Sequence, residues 1–251
     1  MQGSTESLPG SNIDFRKIYE EIYGSFTYNE GMEIDPDSTA LVIVDMQPSL
    51  TSSQVGMGRA YNQLLKISTD YFDRRVQELV IPNIARLLEF FREKGMMVVY
   101  IVTWSETDDL SDMPDYQKRS IQRWENVYGE QLYRKWNEGM GIWDEIAPRE
   151  HELVLPKRTG SAFVSSMLPF CLQNAGIKTV VLTGCNTNGC VFETAAVGKN
   201  MGYEFVVASD ATACFAPVLQ NQAEAWIARH FGIVATTDET ITLLKSSERG
   251  T

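Results

Sequence analysis

The stretch from Lys178 to Glu193, KTVVLTGCNTNGCVFE, constrains the fold of this chain more than any other. Its run of Thr179, Val180, Val181, Leu182 and Thr183 has the unbroken apolar, β-branched character of a strand buried on both faces, which belongs in a parallel sheet with helices above and below. Gly184 stops the run, and a polar turn (Asn186, Thr187, Asn188, Gly189) leads to Cys190. Val191 to Met201 then has the composition and spacing of a helix. Cys190 therefore falls at a helix N-terminus behind a buried strand, where backbone N–H groups lack partners and the helix dipole favours negative charge. That position is expected to lower the thiol pKa and make the sulfur a nucleophile. The alternative is core filling, because cysteine is among the most buried residue types. Partners elsewhere in the chain must decide between the two.

The same strand-then-reactive-residue arrangement recurs along the chain. Ala40 to Val44 is a second buried apolar run, and Asp45 stands at its C-terminal end, facing the crevice where open α/β sheets bind ligands; as a plain loop or capping residue an Asp there would be equally ordinary. Leu153 to Leu155 makes a short strand with Lys157 just beyond it, again at a strand's C-terminal end. Further strands are expected in MMVVYIVTW, ending at Thr103 and Trp104, in Glu204 to Ala208, and in Ile233 to Ala235. Helical spacing appears in Glu78 to Lys94, closed by Gly95, in Ser165 to Ala175, closed by Gly176, and in Gln220 to Phe231. Alternation at this rhythm predicts a three-layer α/β/α fold around a doubly wound, mainly parallel sheet of six strands.

Two stretches do not fit that rhythm. Residues 49 to 72 read as a long loop with some helical pattern, and residues 105 to 149 as an insertion rich in charge and aromatics that covers the C-terminal edge of the sheet, where Tyr116, Trp124, Tyr128, Tyr133, Trp136 and Trp143 are available to line a pocket or bury a subunit contact. Residues 1 to 35 form an N-terminal arm whose Phe15, Ile18, Tyr19, Ile22 and Tyr23 share one helical face, set to pack on the body or on a neighbouring subunit. The rest, 36 to 251, reads as a single domain, since no linker-like segment divides its length.

Composition narrows the function. With 22 basic against 33 acidic side chains the net charge is −11, which repels a phosphate backbone and argues against nucleic acid as a partner. The first residues carry no basic region followed by an apolar core, and nowhere do about eighteen apolar residues run together, so a cytoplasmic protein without a membrane span is expected. Cysteines 171, 185, 190 and 214 form neither a disulfide framework nor a zinc pattern.

Four blocks in order resemble the isochorismatase-like cysteine hydrolases: LVIVDMQ at Leu41 to Gln47, LPKRTGSAF at Leu155 to Phe163, TGCNTNGCVFETA at Thr183 to Ala195, and GYEFVVASDATA after it. The resemblance spans roughly Thr39 to Thr240. It implies that Asp45, Lys157 and Cys190 form a catalytic triad for C–N hydrolysis, with no cofactor. It also implies a cis peptide before Asn186 and an oxyanion hole made by the backbone N–H groups of Asn186 and Cys190. Chemistry agrees independently, because splitting an amide needs a nucleophile, a proton carrier and a charge to steady the thiolate. Gln47, Trp104, Arg158 and Thr187 are the candidate substrate-binding residues, standing beside triad members or at strand ends. The metal site of nicotinamidases needs several His, whereas this chain has only His151 and His230 and no DxH pattern in its SETDD segment, so no metal is expected. The expected substrate is a small carbamoyl or ureido amide such as N-carbamoylsarcosine, ureidoacrylate or biuret. The alternatives are a nicotinamidase-like or other carboxamide hydrolase, and a non-catalytic oligomeric protein on the same fold. By analogy with the family, a homo-oligomer, dimer or tetramer, is expected.

Overall fold

A computed structural model of the chain describes residues 13–64 and 68–247; the first twelve residues, on which the reading of a missing leader rests, and residues 65–67 of the 49–72 stretch lie outside it. Six strands form one sheet: β1 (Thr39–Val44), β2 (Met97–Thr103), β3 (Leu153–Lys157), β4 (Thr179–Cys185), β5 (Glu204–Ala213) and β6 (Ile233–Ala235). Their order is β3-β2-β1-β4-β5-β6, and every pairing is parallel. This is the doubly wound sheet that the alternating pattern predicts, parallel throughout.

Each central strand alternates its side chains between two cores, as a pleat requires. Leu41, Ile43, Val98, Tyr100, Val181 and Val206 point to one face. There they meet Ile84, Leu87, Leu88 and Phe91 of α5 (Ile81–Glu93) and Leu244 of α11 (Thr237–Ser247). Val42, Val99, Ile101, Leu182, Phe205 and Val207 point to the other, against Leu172 of α8 (Leu168–Asn174), Ala195 of α9 (Phe192–Asn200) and Ile227 of α10 (Pro217–His230). Because both faces of β1, β2 and β4 are covered, those strands are apolar along most of their length, which is why they are readable without any alternation.

The 49–72 stretch, read as a loop with some helical pattern, holds the short helices α2 (Pro48–Thr51), α3 (Gly56–Leu64) and α4 (Asp70–Arg75). The insertion contains α6 (Asp115–Tyr128), and it is stitched to its own chain: Ser49 N donates to Gly139 O at 2.8 Å and Trp143 Nε1 to Thr51 Oγ1 at 2.8 Å. The remaining short helix, α7 (Ala162–Ser165), follows β3. The N-terminal helix, α1 (Phe15–Tyr23), starts at Asp14, whose side chain accepts from Lys17 N. It lies on α10 through Tyr19 edge-on to Trp226 at 5.8 Å and Tyr23 under the Arg229 guanidinium at 3.7 Å. No residue of α1 is buried, and Ile22 is 64% exposed, so only part of the predicted apolar face meets the body. Among the described residues no helix is long and apolar enough to cross a membrane.

Candidate active site

The chain turns back at β1 and β4. From β1 it winds outward to β2 and β3; it then returns to lay β4 against the free side of β1 and winds the other way to β5 and β6. At such a switch point neighbouring strand ends leave a crevice that no crossover covers. Asp45 follows β1 directly, Lys157 ends β3, and Cys190 lies in the wide turn Thr187–Val191 between β4 and α9. Gly184 lets β1 and β4 approach there: it adopts φ +103°, and a Cβ on it would fall 2.0 Å from Val44 O.

These three residues meet. The Lys157 ammonium stands 2.8 Å from Asp45 Oδ2 and donates to Cys190 Sγ at 3.2 Å and to Thr159 O at 3.0 Å, which occupies its three N–H bonds. Asp45 and Lys157 are buried, at 3% and 1% exposure. Asp45 Oδ1 is buried too and has no hydrogen-bond partner among the described residues. The Cys185–Asn186 peptide is cis, as the resemblance implies.

The electrostatics correct one expectation. Burial, reinforced by the Asp45 charge, pushes the Cys190 thiol up to about 12, with Lys157 opposing. The helix-terminal position does not lower the thiol pKa in the resting site, because desolvation outweighs the dipole. Burial also lifts the Asp45 carboxyl above the ordinary aspartate value, against the charge and hydrogen bond of Lys157. For Lys157 burial opposes the charge, yet Asp45, Cys190 and Tyr133 together hold the ammonium above its usual value. The site therefore pairs a protonated thiol with a carboxylate that is more basic than usual, a combination suited to proton transfer during attack.

Each of the four candidate substrate-binding residues has a partner within its own chain. Gln47 is fully buried and its amide is spent on backbone: Nε2 donates to Met140 O at 2.7 Å, and Oε1 accepts from Thr103 N at 2.7 Å. It therefore ties the ends of β1 and β2 to the insertion. Thr187 is also fully buried and donates to Gln220 Oε1 at 2.8 Å, fixing the turn that carries Cys190 on α10. Arg158 donates to Asp112 Oδ2 at 2.7 Å and to Lys157 O at 3.3 Å, so it is already paired with a carboxylate of its own chain. Trp104 is half-buried at the rim, donating to Glu106 Oε1 at 2.9 Å with the Lys135 ammonium 5.6 Å from its ring centre.

Aromatic residues take the places that spacing alone does not assign. The Tyr133 hydroxyl lies 3.1 Å from Thr103 Oγ1 at the end of β2, and burial and the triad charges act on it together. Tyr61 of α3 is lifted to about 12 by burial and by the Cys190 sulfur, and its ring is held edge-on by Trp124 at 5.1 Å and Phe215 at 5.8 Å. Tyr133 is one of several aromatics in an insertion without periodicity, and Tyr61 sits in an undistinguished helix. Only the tertiary structure brings them to the sulfur. Among the described residues no three His, Cys, Asp or Glu side chains are grouped to hold a metal ion.

Comparison with known proteins agrees with this architecture. A ureidoacrylate amidohydrolase, RutB, from Cronobacter turicensis is 30% identical over 215 residues, covering 82% of this chain and 88% of that protein. A cysteine hydrolase from Pseudomonas syringae pv. phaseolicola superposes with a TM-score of 0.70 at 23% identity, over 85% of this chain and 95% of that one. The N-carbamoylsarcosine amidase of Thermoplasma acidophilum superposes with a TM-score of 0.58 at 25% identity, over 80% and 97%. The Isochorismatase domain profile matches residues 39–239, from the first residue of β1 into α11, and with the sheet order and the relatives it places this chain in the isochorismatase family of hydrolases.

Proposed function

We propose that the protein is a cysteine-dependent amidohydrolase that cleaves the linear C–N amide bond of a small carbamoyl or ureido compound through a thioester intermediate, releasing ammonia. One observation carries the proposal: the buried Lys157 ammonium bridges the Asp45 carboxylate and the Cys190 sulfur. The names of relatives, a ureidoacrylate amidohydrolase and an N-carbamoylsarcosine amidase, support the same chemistry.

In the proposed reaction Asp45 takes the thiol proton as Sγ bonds to the amide carbon, so that no free thiolate has to exist beforehand. Lys157 steadies the negative charge that passes between the two groups. The backbone N–H groups of Asn186 and Cys190 receive the developing oxyanion, each contributing about 3 kcal/mol to the transition state. Asp45 then hands its proton to the departing nitrogen, the C–N bond breaks and ammonia leaves. Water, deprotonated by Asp45, attacks the thioester, and the released sulfur recovers a proton. Incubation with N-carbamoyl amino acids, ureidoacrylate and biuret should release ammonia, and Cys190→Ser should abolish the release. Folded protein that releases no ammonia from any linear amide would refute the proposal. The aromatic wall of Tyr61, Trp124 and Phe215 favours, as a second reading, a flat aromatic carboxamide, and nicotinamide turnover separates the two.

A further inference from the structure

On the amidohydrolase reading above, the charges around Cys190 restrict what can flank the scissile amide. Four cations beside the site are already matched by the protein's own acids and carbonyls. Lys157 spends its ammonium on Asp45, Cys190 and Thr159 O. Arg158, the next residue, is held by Asp112, with Glu106 at 3.9 Å. Arg134, buried at 3% exposure, pairs with Glu125 and donates to Asp108 O at 2.9 and 2.7 Å. Lys135 lies 3.4 Å from Glu106. Arg119 and Arg123 stand on the exposed face of α6. Asp112 is bound firmly enough to lie at about 2: burial raises it, but the Glu106 backbone N–H, the Ser105 hydroxyl and Arg158 together prevail. It remains a full negative charge opposite Arg158 at any working pH.

What the site leaves unmatched is of the other kind. Asp45 Oδ1 is a buried acceptor with no partner among the described residues, and the Tyr61 hydroxyl is buried within reach of the Cys190 charge. Both lie by the sulfur, and the wall beside them is aromatic. Such a lining suits neutral N–H and C=O groups and an apolar body. A substrate carboxylate would lose its water there, face the Asp45 charge, and find Lys157, Arg158, Arg134 and Lys135 already engaged. We infer that the site takes an uncharged ureido or carboxamide compound, and that the Arg158–Asp112 pair withholds the guanidinium that a ureido acid would need, so that the pair sets specificity by refusal.

A matched pair of substrates tests this: n-propylurea against N-carbamoyl-β-alanine, which differ by a terminal methyl in place of a carboxylate. With ammonia release as the readout, kcat/KM for n-propylurea should exceed that of the acid at least about tenfold, the scale set by one buried group left without a partner. In Asp112→Asn the guanidinium loses its counter-charge, and turnover of the acid should rise relative to the neutral compound. A wild-type preference for the acid would overturn the inference while leaving the amidohydrolase reading intact. So would an Arg158→Gln protein that loses the acid's turnover selectively, because that guanidinium would then be holding the carboxylate. If neither compound, nor any other amide, releases ammonia, the amidohydrolase reading and this inference fall together.

Discussion

At Asp45 the backbone takes φ +53°, a conformation that Asp tolerates better than most side chains, and its N–H bonds back to Ile101 O at 2.8 Å. The strand ends there, with the carboxylate set against Lys157. Two expected outcomes follow from the charges. Asp45 raises the Cys190 pKa, whereas Lys157 lowers it. Asp45→Asn should therefore do two opposite things: amide turnover drops by about 10²–10⁴-fold through loss of the proton acceptor, while iodoacetamide labels Cys190 faster at pH 8 because more thiolate is present. Equal or slower labelling would show that the carboxylate does not act on the thiol. The second outcome concerns pH. Asp45 must be ionised to accept the proton, and burial lifts its folded value above the ordinary 3.8, so kcat/KM should fall as pH drops through a value higher than 3.8. Neither side of the thiol's titration intrudes at neutral pH, since Cys190 ionises at about 12. An acid limb at or below 3.8 would contradict the assignment of Asp45 as base. These three residues were legible because each closes or follows a short apolar strand. The contacts of Gln47, Arg158 and Thr187 were not, for their partners Met140, Asp112 and Gln220 lie 93, 46 and 33 residues away.

Among the elements, the strands were readable and several helices were not, for opposite reasons. A strand covered on both faces is apolar at every position, and that signal is local. In α6 the only buried residue is Ile121, so its sequence looks like solvent-facing loop. α11 did carry a local signature that spacing alone overlooks. Thr236 and Glu239 form a reciprocal capping box, Thr236 N donating to the Glu239 carboxylate at 2.7 Å and Glu239 N to Thr236 Oγ1 at 3.3 Å. Its start is fixed further by Asp210 of β5, which accepts from Thr237 N at 2.8 Å. That bond also explains why β5 runs on to Ala213 through the polar Ser209 and Asp210, past the predicted end at Ala208: the register against β4 shifts between Leu182 and Gly184, and the extra residues turn toward α11. Gly184 sits at that shift with φ +103° and no room toward Val44 O. Gly184→Ala combines a forbidden backbone region with a backbone clash and should cost about 3 kcal/mol or more, read as a lower urea midpoint. A midpoint equal to wild type would mean that the β1–β4 seam can open without penalty.

Taken whole, the molecule is a sheet whose C-terminal edge, where Asp45, Lys157 and Cys190 meet, is roofed by the insertion and whose opposite edge is fastened by the N-terminal arm. The arm's task lies at the far end of α10, whose last carbonyls have no intrahelical donors. Asn29 Nδ2 donates to one of them, Ala228 O, at 2.8 Å and to Gly232 O just past the helix at 3.0 Å, and Thr27 Oγ1 reaches Ala228 O and Arg229 O at 3.2 Å each. Nearer its start, α10 carries Gln220, which grips Thr187 in the turn of Cys190. One helix therefore joins the fastening to the active edge, but Gln220 and Ala228 are eight residues apart, about 12 Å along the axis at 1.5 Å per residue. Losing the arm's bonds should consequently weaken the fold without moving the triad. Asn29→Ala should lower stability by about 1–3 kcal/mol, the cost of buried carbonyls left without donors. The Asn29 side chain already leaves its own Oδ1 buried and unpartnered, and removing that atom offsets part of the loss, which places the expectation at the lower end of the range. The measurement is a urea unfolding curve beside kcat/KM on the same preparation at 25 °C: the midpoint should fall while turnover per folded molecule stays within about twofold of wild type. A normal midpoint would show that water replaces the arm at the end of α10. A normal midpoint accompanied by lost turnover would show instead that the arm is coupled to the nucleophile turn through Gln220.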